Sequence, residues 1–153
     1  MEIRHKGIYK NRFDAPFVGT LISAISCPYR CEGCINDPLK PLDYTIIDSN
    51  EFLDSVASDP FSEGIILGGL EWTKQSLELY ILIKEALDRK LKVILYTYHP
   101  DRESLFNELT FMKEFIGSGI YIKFGKYDNT KLSYDNIWYG VPLATSNQWI
   151  DIL

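Results

Sequence analysis

The stretch Cys27-Pro28-Tyr29-Arg30-Cys31-Glu32-Gly33-Cys34-Ile35-Asn36 gathers all three cysteines of the chain into a C-x3-C-x2-C pattern. It follows directly on residues 17–25, an apolar run with β-branched residues that reads as a buried strand. Together the two segments dictate a geometry. A tight, thiol-bearing loop must leave the C-terminal end of a strand, which is where open α/β sheets and barrels carry their chemistry. Cysteines used for packing scatter through apolar runs, whereas this segment is short, polar and punctuated by Pro28 and Gly33.

Such spacing lets one loop aim the sulfurs of Cys27, Cys31 and Cys34 at a single centre. A cubane iron–sulfur cluster takes four ligands, usually cysteine thiolates, so three would leave one iron open to a small molecule. Zinc and a disulfide are the other readings. Structural zinc takes four ligands, and the fourth would have to come from His5, His99 or a carboxylate, none nearby in sequence. A disulfide would leave one cysteine over, in a chain with no secretory signature.

Composition narrows the partners. The formal net charge of −5 argues against a nucleic-acid surface, which announces itself as a basic face. The longest apolar runs, such as residues 79–83, are too short to span a bilayer. The N-terminus has no apolar h-region, so a signal peptide is not expected and the clustered thiols place the protein in the cytoplasm. A length of 153 residues, without repeats or linkers, fits a single domain over residues 1–153.

The rest of the chain alternates. Residues 1–16 are a polar lead-in with at most one edge strand. A helix capped by Asp48 or Ser49 is expected to run to about Ser58, with Phe52, Leu53 and Val56 inward. Gly64-Ile65-Ile66-Leu67 reads as a buried strand. A helix over residues 74–89 would face its core with Leu77, Tyr80, Ile81, the Lys84 stem and Leu87. Residues 92–97 read as strand, 101–115 as helix and 119–124 as strand; residues 136–139 and 148–153 look extended. This β-α-β-α-β order predicts a parallel sheet with crossover helices, an α/β fold.

Two further strand ends carry candidate chemistry. Gly68-Gly69-Leu70-Glu71 would let a ligand approach the backbone closely, with Glu71 able to accept from an ammonium group. Tyr96-Thr97-Tyr98-His99 brings hydroxyls to the same edge, while no paired acid for His99 is visible from spacing. Gly33 frees the backbone to turn inside the cysteine loop, and Asn36 is placed to cap that turn.

These motifs resemble the radical S-adenosylmethionine superfamily, and within it the activating proteins of anaerobic (class III) ribonucleotide reductase. The resemblance runs from about Thr20 to the C-terminus. It rests on Cys31-x-Gly33-Cys34-x-Asn36, Leu67-Gly68-Gly69, Tyr96-Thr97-Tyr98, Gly125-Lys126-Tyr127, and Trp138-Tyr139-Gly140 followed by Ser146-Asn147-Gln148. In the superfamily an acid directly follows the two glycines; here Leu70 stands there and Glu71 comes one later.

The resemblance implies an incomplete (β/α) barrel of mostly parallel strands. It implies a [4Fe-4S] cluster on Cys27, Cys31 and Cys34, with S-adenosyl-L-methionine at the open iron near Gly33, Asn36, Gly68, Gly69, Glu71, Tyr96 and Thr97. The activity implied is reductive cleavage of S-adenosylmethionine to a 5′-deoxyadenosyl radical, which makes a glycyl radical on the large subunit of the anaerobic reductase. A reducing donor such as flavodoxin would supply the electron. A radical enzyme acting on another peptide or small molecule, and a non-catalytic zinc or iron–sulfur module, are the alternatives.

Overall fold

The computed structural model describes residues 1–153. In chain order the strands and helices are β1 (Glu2–His5), β2 (Ile8–Arg12), β3 (Gly19–Ser23), β4 (Thr45–Asp48), α1 (Ser49–Ser58), β5 (Gly64–Gly68) and α2 (Ser76–Asp88). They continue with β6 (Lys92–Tyr96), α3 (Arg102–Glu108), β7 (Tyr121–Phe124), β8 (Ile137–Trp138), β9 (Val141–Pro142) and β10 (Trp149–Ile152).

A six-stranded sheet in the order β10-β7-β6-β5-β3-β2 organises the molecule. Its central strands β3, β5, β6 and β7 are mutually parallel, with antiparallel β2 and β10 at the margins. The parallel run follows from the βα alternation, since a parallel neighbour needs a crossover connection. β5 is buried along its whole length, as its glycine-bounded apolar run predicts.

Side chains then sort by the period of two. Ile22, Ile65, Leu67, Val93, Leu95, Ile122 and Phe124 join a large core with α1 and α2. Ile66, Ile94 and Ile150 point to the other face, under Ala15, Phe17, Val141 and Leu143. α1 begins where the Asp48 carboxylate accepts from Glu51 N at 3.2 Å, the cap read from sequence, and Phe52, Leu53 and Val56 are buried.

Four expectations need correction. α2 is rotated about its axis. Glu78, Leu79, Leu82, Ile83 and Ala86 face inward and Leu77 is 63% exposed. The helix expected over residues 101–115 breaks at Leu109, where the backbone leaves α geometry, and resumes as a 3-10 turn over Thr110–Phe115. The lead-in segment holds two strands. β2 joins the main sheet, and β1 pairs antiparallel with β4, a strand that exposed Thr45 and Ile46 had hidden. Finally, Asn36 makes no side-chain cap; its backbone carbonyl accepts from Leu39 N at 3.0 Å instead. No helix is long and apolar enough to cross a membrane.

Candidate functional site

The C-terminal ends of β3, β5, β6 and β7 open on one cavity of about 320 Å³. Cys27, Cys31 and Cys34 contribute to its wall, with Asn36, Gly69, Glu71, Tyr96, Thr97, Lys123 and Gln148. Gly33 and Gly68 shape the site without lining it. Gly33 has φ +75°, the left-handed turn its position requires, and the Gly68 carbonyl accepts from Ala24 N at 3.2 Å.

The thiols sit on irregular backbone held by specific contacts. The Tyr29 carbonyl takes the Lys40 ammonium at 2.8 Å and faces the Cys27 sulfur at 3.9 Å. The Tyr29 ring lies flat on Tyr98, with centroids 3.5 Å apart and planes 7° from parallel. The Lys74 ammonium lies over the same Tyr29 ring, 5.7 Å from its centroid. Beyond the ring, the Cys31 carbonyl accepts from Cys34 N at 3.1 Å to close a turn, and the Cys34 carbonyl accepts from Asp37 N at 3.2 Å.

Burial pushes the Cys27 thiol up, a backbone hydrogen bond at Tyr29 and the charge of Lys40 working against it. Burial and then the neighbouring Cys34 push Cys31 up, while Lys126 and Lys40 pull it down. Metal loading on these thiols would therefore release protons.

Glu71 is 4% exposed. Its Oε1 accepts from Tyr98 N at 2.6 Å and from the Thr97 hydroxyl at 3.3 Å; its Oε2 faces Thr73 N at 3.5 Å. The glycine pair thus delivers an acid to the cavity despite the intervening Leu70, which turns into the core. Burial raises the Glu71 pKa, and no cation pairs with it directly.

Lys123 is the residue that sequence reading missed. It is 8% exposed, donates to the Gly125 carbonyl at 2.9 Å and lies 5.2 Å from the centroid of Tyr96. Burial lowers its pKa to about 8. The signal was present as a lysine inside the apolar strand Tyr121–Phe124, where both faces are covered. Glu71 and Lys123 are opposite charges on one cavity wall that do not form an ion pair with each other, an arrangement suited to a ligand carrying both an ammonium and an acid group.

Two expectations about hydroxyls and imidazole change. Tyr96 lines the cavity, but its hydroxyl is engaged by the Asp14 carbonyl, and burial raises its pKa. His99 is 7% exposed, and it does have the acid partner that spacing did not show. Its Nδ1 meets the Ser104 hydroxyl at 2.6 Å and its Nε2 meets Glu108, which also pairs with Lys74 at 2.8 Å. Burial alone would raise the Glu108 pKa; the hydrogen bonds from Lys74 and His99 outweigh it and bring it down.

The donor set fits iron–sulfur chemistry in kind: three thiols of one loop share a cavity, and all three are free. Neither histidine is placed to add a fourth ligand. The His5 ring accepts from Gly7 N at 3.1 Å, and both His99 nitrogens are engaged. As the thiols stand, no three His, Cys, Asp or Glu side chains converge in metal-ligating geometry. The chain matches no protein-family model and none of the curated proteins it was compared with.

Proposed function

We propose that the chain is an iron–sulfur enzyme of the radical S-adenosylmethionine type, which generates a glycyl radical on anaerobic ribonucleoside-triphosphate reductase. The observation that carries this reading is the sharing of one cavity by Cys27, Cys31, Cys34, Glu71 and Lys123 at the C-terminal edge of parallel strands. The incomplete barrel belongs to the same proposal.

In it, Cys27, Cys31 and Cys34 would hold a [4Fe-4S] cluster. When bound, that cluster supplies the single electron for cleaving the sulfonium, chemistry that no side chain offers. Glu71 receives the methionyl ammonium, because a buried carboxylate without a cation gains most from one. Lys123 receives the methionyl carboxylate from the neighbouring wall. Thr97 and Tyr98 N hold the Glu71 carboxylate in place, so its charge is positioned before the ligand arrives. A volume of about 320 Å³ lies at the small end of the range for cofactor sites. The partners proposed are the large subunit of the reductase and a flavodoxin-like donor, in the cytoplasm.

Anaerobic reconstitution with iron and sulfide, followed by electron paramagnetic resonance of the reduced protein, tests this. A cluster signal that changes shape on adding S-adenosylmethionine is expected. Zinc in place of iron, or a cluster signal indifferent to the cofactor, would move the chain to the binding-module reading. If the signal changes but incubation with the reductase yields no glycyl radical, the target is another peptide or a small molecule.

A further inference from the structure

The cysteine loop hangs from one short seam. Leaving β3, the backbone is fastened three times in succession to the end of β5 and the segment that joins it to α2. Ala24 N donates to the Gly68 carbonyl at 3.2 Å, Ile25 N donates to Gln75 Oε1 at 2.7 Å, and Glu71 N donates to the Ser26 carbonyl at 2.9 Å. Two of these bonds are backbone to backbone. The middle one depends on a single side chain, which is 4% exposed.

That side chain has its orientation imposed. Gln75 Nε2 donates to the Arg4 carbonyl and to Glu78 Oε2, both at 3.1 Å, so only its oxygen can face Ile25. Glu78, itself buried, is fixed in turn by Arg4, whose backbone N lies 2.6 Å from Oε2 and whose Nε lies 3.0 Å from Oε1. A chain of polar contacts therefore runs from β1 through the first turn of α2 to the residue two before Cys27.

We infer that Gln75 is a positioning residue, whose amide oxygen keeps Cys27 in register with Glu71 across the cavity. This rests on the reading of Cys27 as a ligand. The geometric claim about the loop is tested without metal.

The test is alkylation of the metal-free full chain by iodoacetamide, resolved by site with mass spectrometry, since the rate reports thiolate fraction and access. Gln75→Met keeps the volume and removes the acceptor, leaving Ile25 N unpartnered. Of the three hydrogen bonds this removes, only the one from Ile25 N tethers the loop; its loss, at about 1 kcal/mol, corresponds to a roughly fivefold rise in the Cys27 rate relative to Cys34. Cys34 is held by its own turn with Asp37 and should not change. Amide hydrogen exchange gives a second readout: in the native chain the Ile25 N–H, held at 2.7 Å by a buried acceptor, should be protected.

Equal Cys27 rates in the native protein and Gln75→Met would overturn the inference. Should Gln75→Met fail to show a cooperative thermal transition, exchange in the native protein decides alone: a protected Ile25 amide supports the assignment, and one exchanging as fast as an open loop refutes it. Failure of the native protein to bind iron would strike the proposed function and leave these rates as they are.

Discussion

Gly69→Ala tests the close approach that brings the acid-bearing loop against the end of β3. Gly69 sits at φ +75°, and a Cβ there would lie 2.2 Å from Ser23 Oγ, 2.6 Å from its Cβ and 3.0 Å from its Cα. The left-handed conformation costs an alanine about 1–2 kcal/mol. The overlap adds about 1–3 kcal/mol, because the nearest atoms belong to a strand residue with no exposed side to yield toward. A total of roughly 2–5 kcal/mol is a large part of a typical domain's stability of about 5–15 kcal/mol.

Urea unfolding measures it. Gly68→Ala is the control, since its φ is ordinary and its added Cβ would meet nothing closer than 3.6 Å, so it should change stability by less than about 1 kcal/mol. Combining Gly69→Ala with Ser23→Gly removes the two closest contacts, leaving the Cα at 3.0 Å and the backbone strain. A double-mutant cycle should recover about 1–3 kcal/mol of coupling. Equal stabilities for the two alanine variants, or zero coupling in the cycle, would refute the close-approach account.

Alanine at Cys27, Cys31 or Cys34 singly should abolish the intact cluster, read as iron per chain after anaerobic reconstitution; native iron content in all three variants would remove the ligand assignment. Glu71→Gln should keep the Tyr98 and Thr97 contacts while losing the charge, weakening S-adenosylmethionine binding by roughly 10- to 100-fold in anaerobic calorimetry; unchanged affinity would place the ammonium elsewhere. Lys123 has its folded pKa lowered to about 8, below the unfolded value near 10.4, so between those limits the unfolded chain binds more protons and stability rises with pH. Comparing native protein with Lys123→Met from pH 7 to 10.5 should show that rise, up to about 3 kcal/mol, only in the native protein; parallel curves would mean the ammonium is better solvated than its burial suggests.

The central strands were legible because β3, β5, β6 and β7 are short apolar runs bounded by glycine, proline or polar residues, a pattern that two-sided burial imposes locally. The face of α2 was not. Its sequence, Ser-Leu-Glu-Leu-Tyr-Ile-Leu-Ile-Lys-Glu-Ala-Leu-Asp, is apolar nearly all round, so periodicity allows more than one inward stripe and packing chose Leu79, Leu82, Ile83 and Ala86. The β1–β4 ribbon depends on pairing residues forty or more positions apart, and in β4 the two isoleucines are adjacent, so no alternation announces the strand.

At the site, the cysteines and the Gly-Gly-x-acid run were readable as motifs, because each is local. The partners were not: the stacking of Tyr29 on Tyr98, the His99–Glu108 contact and the burial of Lys123 arise from strands and loops meeting in space. Only Lys123 left a trace, as a charge where an apolar residue would fit the strand better.

The seam between the end of β3 and residues 68–75 also orders events in time. The stretch around residues 24–26 has no anchor until a strand some forty residues further along has docked beside β3, and such long-range parallel pairing is a slow, late step of folding. On a ribosome, the three thiols would leave the exit tunnel well before the scaffold that aims them exists. A zinc finger gathers its thiols around an ion; here the central sheet must form before Cys27, Cys31 and Cys34 share one wall.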